Sequence, residues 1–479
     1  MLYWDYRLDE DRKNVVYLTI GRQKRVMEKS NTLMTSGSIW KQILRFSIPL
    51  ILGNLFQQMY SIVDSIIVGN VVGSDALAAV GASGSIIQLL IGFIIGASAG
   101  AGVVTSQYYG AQNEEGVRKA VHTTFAIAIV CGVIISVVGV ASTNWILEMM
   151  DTPEEVFDDA AAYLRWFFAG HFFAVIYNLL AGILNAVGNS KRALIFLVIA
   201  TVCNIVLDIL FVAVFKWGVV GAAIATDLSQ AVSCVCILVY MYHSKQPYRI
   251  RFKDIGFHDN LLKRIIVLGL PTGVQNIIIS LSNVILQASV NSFGATVMAS
   301  YAAFNRIDGF ILLPVLSIGT AATTFAGQNY GAKKIERILD GLKISVGMGT
   351  IYSIVAAAVM LVAGPYIIQI FTTEQAVIDA GVKMMWYMYP FYWLLAMFHI
   401  ALGSVRGVGK TMESMMISVF SLCVCRVIWI FTAVKMWHHL FTLSMAYSVT
   451  WLIGAVIVLI YLKKRNWIEI EERKVNGGM

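Results

Sequence analysis

Apolar stretches of helical length recur along the chain, separated by short polar breaks. They fall near 43–69, 76–104, 120–142, 160–185, 192–215 and 217–241. A second set falls near 265–290, 297–326, 342–364, 381–404, 412–434 and 440–462. Each is about 20 residues or longer, enough to carry an α-helix across the hydrocarbon core of a bilayer. The pattern predicts an all-α polytopic membrane protein with twelve transmembrane helices. HSKQPYRIRFKDIGFHDN (243–260) is the longest polar connector. It divides the chain into a six-helix N-lobe at 39–242 and a six-helix C-lobe at 265–463, joined through 243–264. Tails are expected at 1–38 and 464–479.

The two sets repeat each other. FSIPLILGN (46–54) matches VLGLPTGVQN (267–276), with Pro49 answering Pro271. Asn70-Val-Val-Gly73 matches Asn291-Ser-Phe-Gly294, and SQYYGAQ (106–112) matches GQNYGAK (327–333). LNAVGNSK (184–191) matches GSVRGVGK (403–410), and the offset stays between 218 and 222 residues throughout. An even number of spans per repeat gives both halves the same orientation. Halves of that kind are related by a pseudo-two-fold axis along the membrane normal, with a central cavity between them, which is a transporter architecture.

Composition agrees with this pattern and closes off other classes. The 479 residues are 58% hydrophobic and 13% charged, with a mean hydropathy of +0.72. Soluble domains carry about 25% charge, so this chain cannot coat a water-exposed surface. The net charge of +8 invites a nucleic-acid reading, but the bases follow topology instead. With the N-terminus inside, sixteen Lys and Arg fall in the internal loops on the cytoplasmic side and three in the outer loops. That asymmetry predicts an inner (plasma) membrane protein with both termini cytoplasmic and no nucleic-acid partner. Residues 1–38 lack the apolar core of a signal peptide, and Met27 and Met34 are alternative starts. The six cysteines all lie in apolar runs, and Cys234-x-Cys236 and Cys423-x-Cys425 point to different helix faces. They read as small core residues rather than metal ligands.

Ionisable side chains inside such spans cost about 2.5–3.5 kcal/mol each and mark function. The first half holds Asp64, Arg165, His171, Asp208 and Asp227, with Gln57, Gln58, Asn178, Asn204, Thr226 and Gln230. Gln57, Tyr60 and Asp64 share one face of the first helix, and Asn204 and Asp208 share one face of the fifth. Two carboxylates, an amide and a hydroxyl can hold a proton or a hard cation such as Na⁺. Pro49, four turns before Asp64, removes a backbone hydrogen bond and provides a place to bend. The competing structural role is an ion pair of Asp64 or Asp208 with Arg165 or Arg426. At the positions matching Asp64, the second half has Leu286 or Gln287. Its Arg306 and Asp308 diverge around the helix and read as packing residues, as does a satisfied His399. Gly407-Val-Gly409-Lys410-Thr411 resembles the end of a phosphate loop but lacks the first glycine and follows a membrane helix.

PLILGNLFQQMYSIVDSIIVGNVVGSDALAAVG, SQYYGAQ and NIVLDILF, with the repeated half signatures, resemble the multidrug and toxic compound extrusion (MATE) family over about 39–464. The likeness is greatest to its prokaryotic DinF-like branch. The resemblance implies a twelve-helix antiporter that exports organic, often cationic and aromatic compounds in exchange for H⁺ or Na⁺. It implies no enzymatic step and no cofactor besides the coupling ion. The family's coupling residues fall on Asp64, Asn204, Asp208 and Thr226, which would also be the Na⁺ ligands, and its bending proline falls on Pro49. Gln57, Tyr60 and Asn178 fall on cavity positions. The acidic residues that another branch places in its seventh and tenth helices are missing here (IIISLSN, FYWLLAMFH). The expected partners are small organic substrates and membrane lipids, for a monomer. The rivals are a lipid-linked oligosaccharide flippase of the same superfamily, which calls for a cavity lined by Arg and Lys, and a non-transporting membrane scaffold.

Overall fold

A computed structural model describes residues 32–464 and 466–468, without the side chains of Asp259 and of several residues between 74 and 88. Most of the expected 1–38 and 464–479 tails, Met27 included, lie outside the described residues. Twelve long helices follow one another. In the first half they are α1 (Ile39–Val71), α2 (Ser74–Gly110), α3 (Glu114–Met149), α4 (Glu154–Ala186), α5 (Ser190–Val214) and α6 (Gly218–His243). In the second half they are α7 (Asp259–Asn291), α8 (Ala295–Gly331), α9 (Ile335–Ile368), α10 (Gln375–Gly407), α11 (Thr411–Val434) and α12 (Leu440–Lys463). Among the described residues, eleven have stretches long and apolar enough to cross a membrane. The exception is α1, which carries Asn54, Gln57, Gln58, Asp64 and Asn70. The helix least suited to lipid is thus the one that holds the polar stripe.

Three helices depart from plain α geometry. α5 widens into a π-helix at Ile209–Val214, directly after Asp208. α11 does so at Phe420–Val424 and Ile430–Val434, and a 3₁₀ turn at Tyr389–Phe391 interrupts α10. π segments inside α-helices gather at functional sites because they re-aim side chains without ending the helix. Pro49 sits inside α1, which continues through it without a break.

Glycine decides how the halves meet. On α2, Gly92, Gly96 and Gly100 recur every four residues. On α7, Gly269 and Gly273 do the same. A Cβ built on Gly96 would land on the backbone of Gly273, and one on Gly100 on the backbone of Gly269. Lipid offers no hydrophobic drive for helix association, so close backbone approach between small residues supplies the packing instead.

The seam is locked at the side where α2, α4, α8 and α10 end, here named the connector side because the loop between α6 and α7 runs there. Gln107 of α2 donates to the Gly407 carbonyl of α10 at 3.0 Å. Its repeat counterpart, Gln328 of α8, donates to the Ala186 carbonyl of α4 at 2.9 Å. Arg264 of α7 reaches Gln107 Oε1 and lies over the Tyr108 ring. The expected N-terminal tail is not free over its last described residues. The Met34 backbone N–H donates to Gln328 Oε1 at 2.8 Å, and the Met34 carbonyl accepts from Asn329 and Arg337.

Replacing Gly96 by Val is therefore expected to force the halves apart, costing about 1–3 kcal/mol. Gly347→Ala is the control, since a Cβ added there meets no atom within 4 Å. Thermal unfolding in detergent should fall for Gly96→Val and hold or rise for Gly347→Ala. Equal melting points for wild type and Gly96→Val would remove the glycine seam as a determinant.

Candidate functional site

The sequence-predicted residues separate into two neighbouring places. The first is an acid cluster inside the first half. α1 presents Tyr60 and Asp64 one turn apart, and α5 presents Asn204 and Asp208 one turn apart on its inward face. α6 adds Thr226. Asp64 is 8% exposed, Asp208 0% and Asn204 1%. The carboxyl groups of Asp64 and Asp208 stand close enough to interact directly. Even so, Asp64 Oδ1, both Asp208 oxygens and both amide atoms of Asn204 are buried without a hydrogen-bond partner. Tyr60 Oη and Thr226 Oγ1 are 3.0 Å apart, tying α1 to α6 across the cluster.

Buried polar atoms are nearly always paired, so five orphans in one place mark this cluster as a candidate site. The arrangement is acceptor-rich: four carboxylate oxygens, an amide oxygen and two hydroxyls. It can hold a shared proton or a small cation, the species whose charge is opposite to the carboxylates. Neither aspartate is neutralised by a base among the described residues. Arg165 is on an exposed face and donates to Asn144 at 2.8 Å. Arg426 donates to Asn283 at 2.9 Å and lies over the Tyr447 ring at 4.7 Å. The ion-pair alternative is thus not the arrangement found among the described residues.

Asp227 belongs beside this cluster, although its sequence context assigns it no role. Tyr60 and Tyr163 stand within electrostatic reach of Asp64, Asp208 and Asp227 together. Room for Asp227 comes from Gly170 on α4: a Cβ there would fall on the Asp227 carboxyl. Among the described residues the three acids do not converge on one point as metal ligands would. Asp64 and Asp208 form the pair, and Asp227 flanks it.

The second place is a cavity of about 370 Å³ between the halves, toward the connector side. Gln57 of α1 and Asn178 of α4 line it, with Asn54, Asn276, His399 and Arg406. Asn178 uses its amide N–H on its own helix, donating to the Ala174 carbonyl at 2.8 Å. Two second-half expectations differ from what is found. His399 Nδ1 has no partner, because the ring borders this cavity instead of a packed side chain. Asp308 Oδ1 is likewise buried and unpartnered rather than fixed by a packing bond.

Twelve helices in two repeats, with buried carboxylates and a polar cavity between the halves, define a membrane transporter. Comparison with known proteins agrees. The MatE family model matches residues 49–210 and again 271–432, once per half. The chain belongs to the MATE family of multidrug efflux transporters. It is 30% identical to the probable multidrug resistance protein YoeA of Bacillus subtilis (strain 168) over 393 residues, 80% of this chain and 85% of that one. In structure it is similar to a MOP superfamily transporter from Pyrococcus furiosus, with a TM-score of 0.85 and 23% identity, covering 91% of this chain and 98% of that one. It is also similar to a MATE crystal structure in the bent conformation, again with a TM-score of 0.85 and 23% identity, covering 90% and 96%.

The fit between Gly170 and Asp227 is open to a direct test. Gly170→Ala should displace the Asp227 carboxyl and destabilise the protein, and Asp227→Ala on that background should recover part of the loss. A coupling energy of about 0.5–3 kcal/mol is expected from the double-mutant cycle by thermal unfolding. Strict additivity would show that the two side chains do not share the space.

Proposed function

We propose that this chain is a secondary antiporter that exports organic compounds in exchange for H⁺ or Na⁺. The observation that carries the reading is the Asp64–Asp208 pair: two buried carboxylates facing each other on two different helices, without a neutralising base among the described residues. When empty, the pair repels itself. Binding a proton or Na⁺ relieves the repulsion and draws α1 toward α5, with Asn204 and Thr226 contributing oxygen atoms. Pro49 lies upstream in α1 and leaves the carbonyl one turn earlier without its donor, so α1 can bend there at low cost.

Ion and substrate then alternate. A cationic substrate is held by the carboxylates until the coupling ion neutralises them, and closure of the N-lobe pocket expels it. Lobes at 39–242 and 265–463 rock about the glycine seam, with the connector side cytoplasmic, as the excess of Lys and Arg in its loops supports. We assign the protein to the inner (plasma) membrane, as a monomer, and to the DinF-like branch, whose coupling residues fall on the acid cluster. A flippase would need a cavity lined by several bases, whereas Arg406 is the one Lys or Arg among the described residues lining this one.

Asp64→Asn and Asp208→Asn are expected to abolish gradient-driven efflux of a cationic dye from proteoliposomes while leaving the protein inserted and folded. Separate proton and sodium gradients identify the coupling ion. Wild-type export rates in both variants would sink the assignment.

A further inference from the structure

The cavity between the halves has a charge of its own, and it is opposite to that of the acid cluster. Its lining is mostly amides, hydroxyls and small residues. Among the described residues no carboxylate borders it. Arg406 does. The guanidinium makes one hydrogen bond, to Ser414 Oγ at 3.3 Å, and has no ion pair among the described residues. Glu413, the nearest acid in sequence, is engaged with Lys410 at 3.6 Å instead. His399 stands two turns earlier on the same face of α10, with Nδ1 unpartnered. Across the cavity, α7 brings Thr272 and Gln275, 8% and 5% exposed. Thr272 Oγ1 and Gln275 Oε1 also lack partners.

Arg406 is half-buried and lacks a counter-charge among the described residues, and a guanidinium is shaped to take a planar carboxylate in two parallel hydrogen bonds. The lining offers further donors beside it: the Thr272 hydroxyl, the Gln275 amide and the Gln57 amide. The volume of about 370 Å³ falls within the range of pockets that hold small organic molecules. We propose that this cavity is a subsite for the acidic group of a transported organic acid, with Arg406 as its specificity-determining cation. The subsite rests on the transport reading above but adds a second substrate class. Organic cations are held by the carboxylates of α1 and α5, and aromatic acids by Arg406 between the halves.

The test uses two probes of one size and opposite charge, 1-naphthoate and 1-naphthylmethylammonium. Their binding to purified full-length protein in detergent is measured by calorimetry. Arg406→Gln should weaken 1-naphthoate by about tenfold or more, the loss of one charged hydrogen-bonding partner. It should leave the ammonium probe unchanged or slightly tighter. Gln275→Glu sets a negative charge in the same cavity and should weaken 1-naphthoate even if Arg406→Gln does not fold. Equal 1-naphthoate affinity in wild type and either folded variant overturns the proposal. Inorganic phosphate is the remaining arm. If it protects the wild type against heat as well as 1-naphthoate does, and Arg406→Gln removes that protection, the site takes free inorganic anions and the organic-acid assignment falls. The antiport reading fails separately: Arg406-dependent 1-naphthoate binding without gradient-driven dye export would leave the subsite standing and remove the antiporter.

Discussion

Backbone contact between α2 and α7 is the constraint on which the rest of the molecule depends. Five glycines at four-residue spacing bring the two helices together, and at Gly96 and Gly100 the approach leaves no room for a Cβ. Once that seam is set, the ends of α2 and α8 lie over those of α10 and α4. Gln107 and Gln328 then close the connector side by reciprocal bonds to opposite halves. Their reciprocity is a direct product of the repeat: two residues 221 apart make the same contact in opposite directions. The seam also explains why polar residues collect in the middle of the protein. Asn54, Asn178 and Asn276 border space that the two halves cannot fill with backbone.

Neither polar region is finished as a piece of structure. A core optimised for stability would pair Asp208, Asn204, Thr272 and Gln275, because each orphan gives up a hydrogen bond it had in water. A ligand that paired them would recover that cost. The acid cluster and the cavity differ in sign, the first acceptor-rich and anionic, the second donor-bearing and cationic. They communicate along one face of α1, where Gln57 belongs to the cavity and Tyr60 and Asp64 to the cluster. A bend at Pro49 would move all three together.

Much of this is legible in the sequence, and the reasons differ by feature. Twelve helices follow from apolar length, and the two-fold repeat from paired signatures such as SQYYGAQ and GQNYGAK. Asp64 and Asp208 stand out because a carboxylate in an apolar run has few structural excuses. Asp227 is visible for the same reason, but its association with Gly170 is not, since that depends on how α4 and α6 meet. The π-helix after Asp208 leaves no mark in composition or periodicity. Met34 falls within what reads as a polar tail because its role is played by its backbone, whose bonds to Gln328, Asn329 and Arg337 no side-chain pattern encodes. His399 reads as satisfied from sequence, the usual fate of a buried histidine. A cavity forms at its ring only when helices from both halves are in place.

The halves share a fold and diverge in charge. Arg426 lies 222 residues after Asn204, within the repeat offset, so the second half carries a guanidinium where the first carries an uncharged amide. Asn283 and the Tyr447 ring occupy it. The second half therefore cannot gather a cation at that level. In the proposed antiport, an ion bound at the acid cluster would act on α1 and α5 and not on α7 and α11. The seam between α2 and α7 would then serve as the pivot on which that one-sided change becomes a relative motion of the halves.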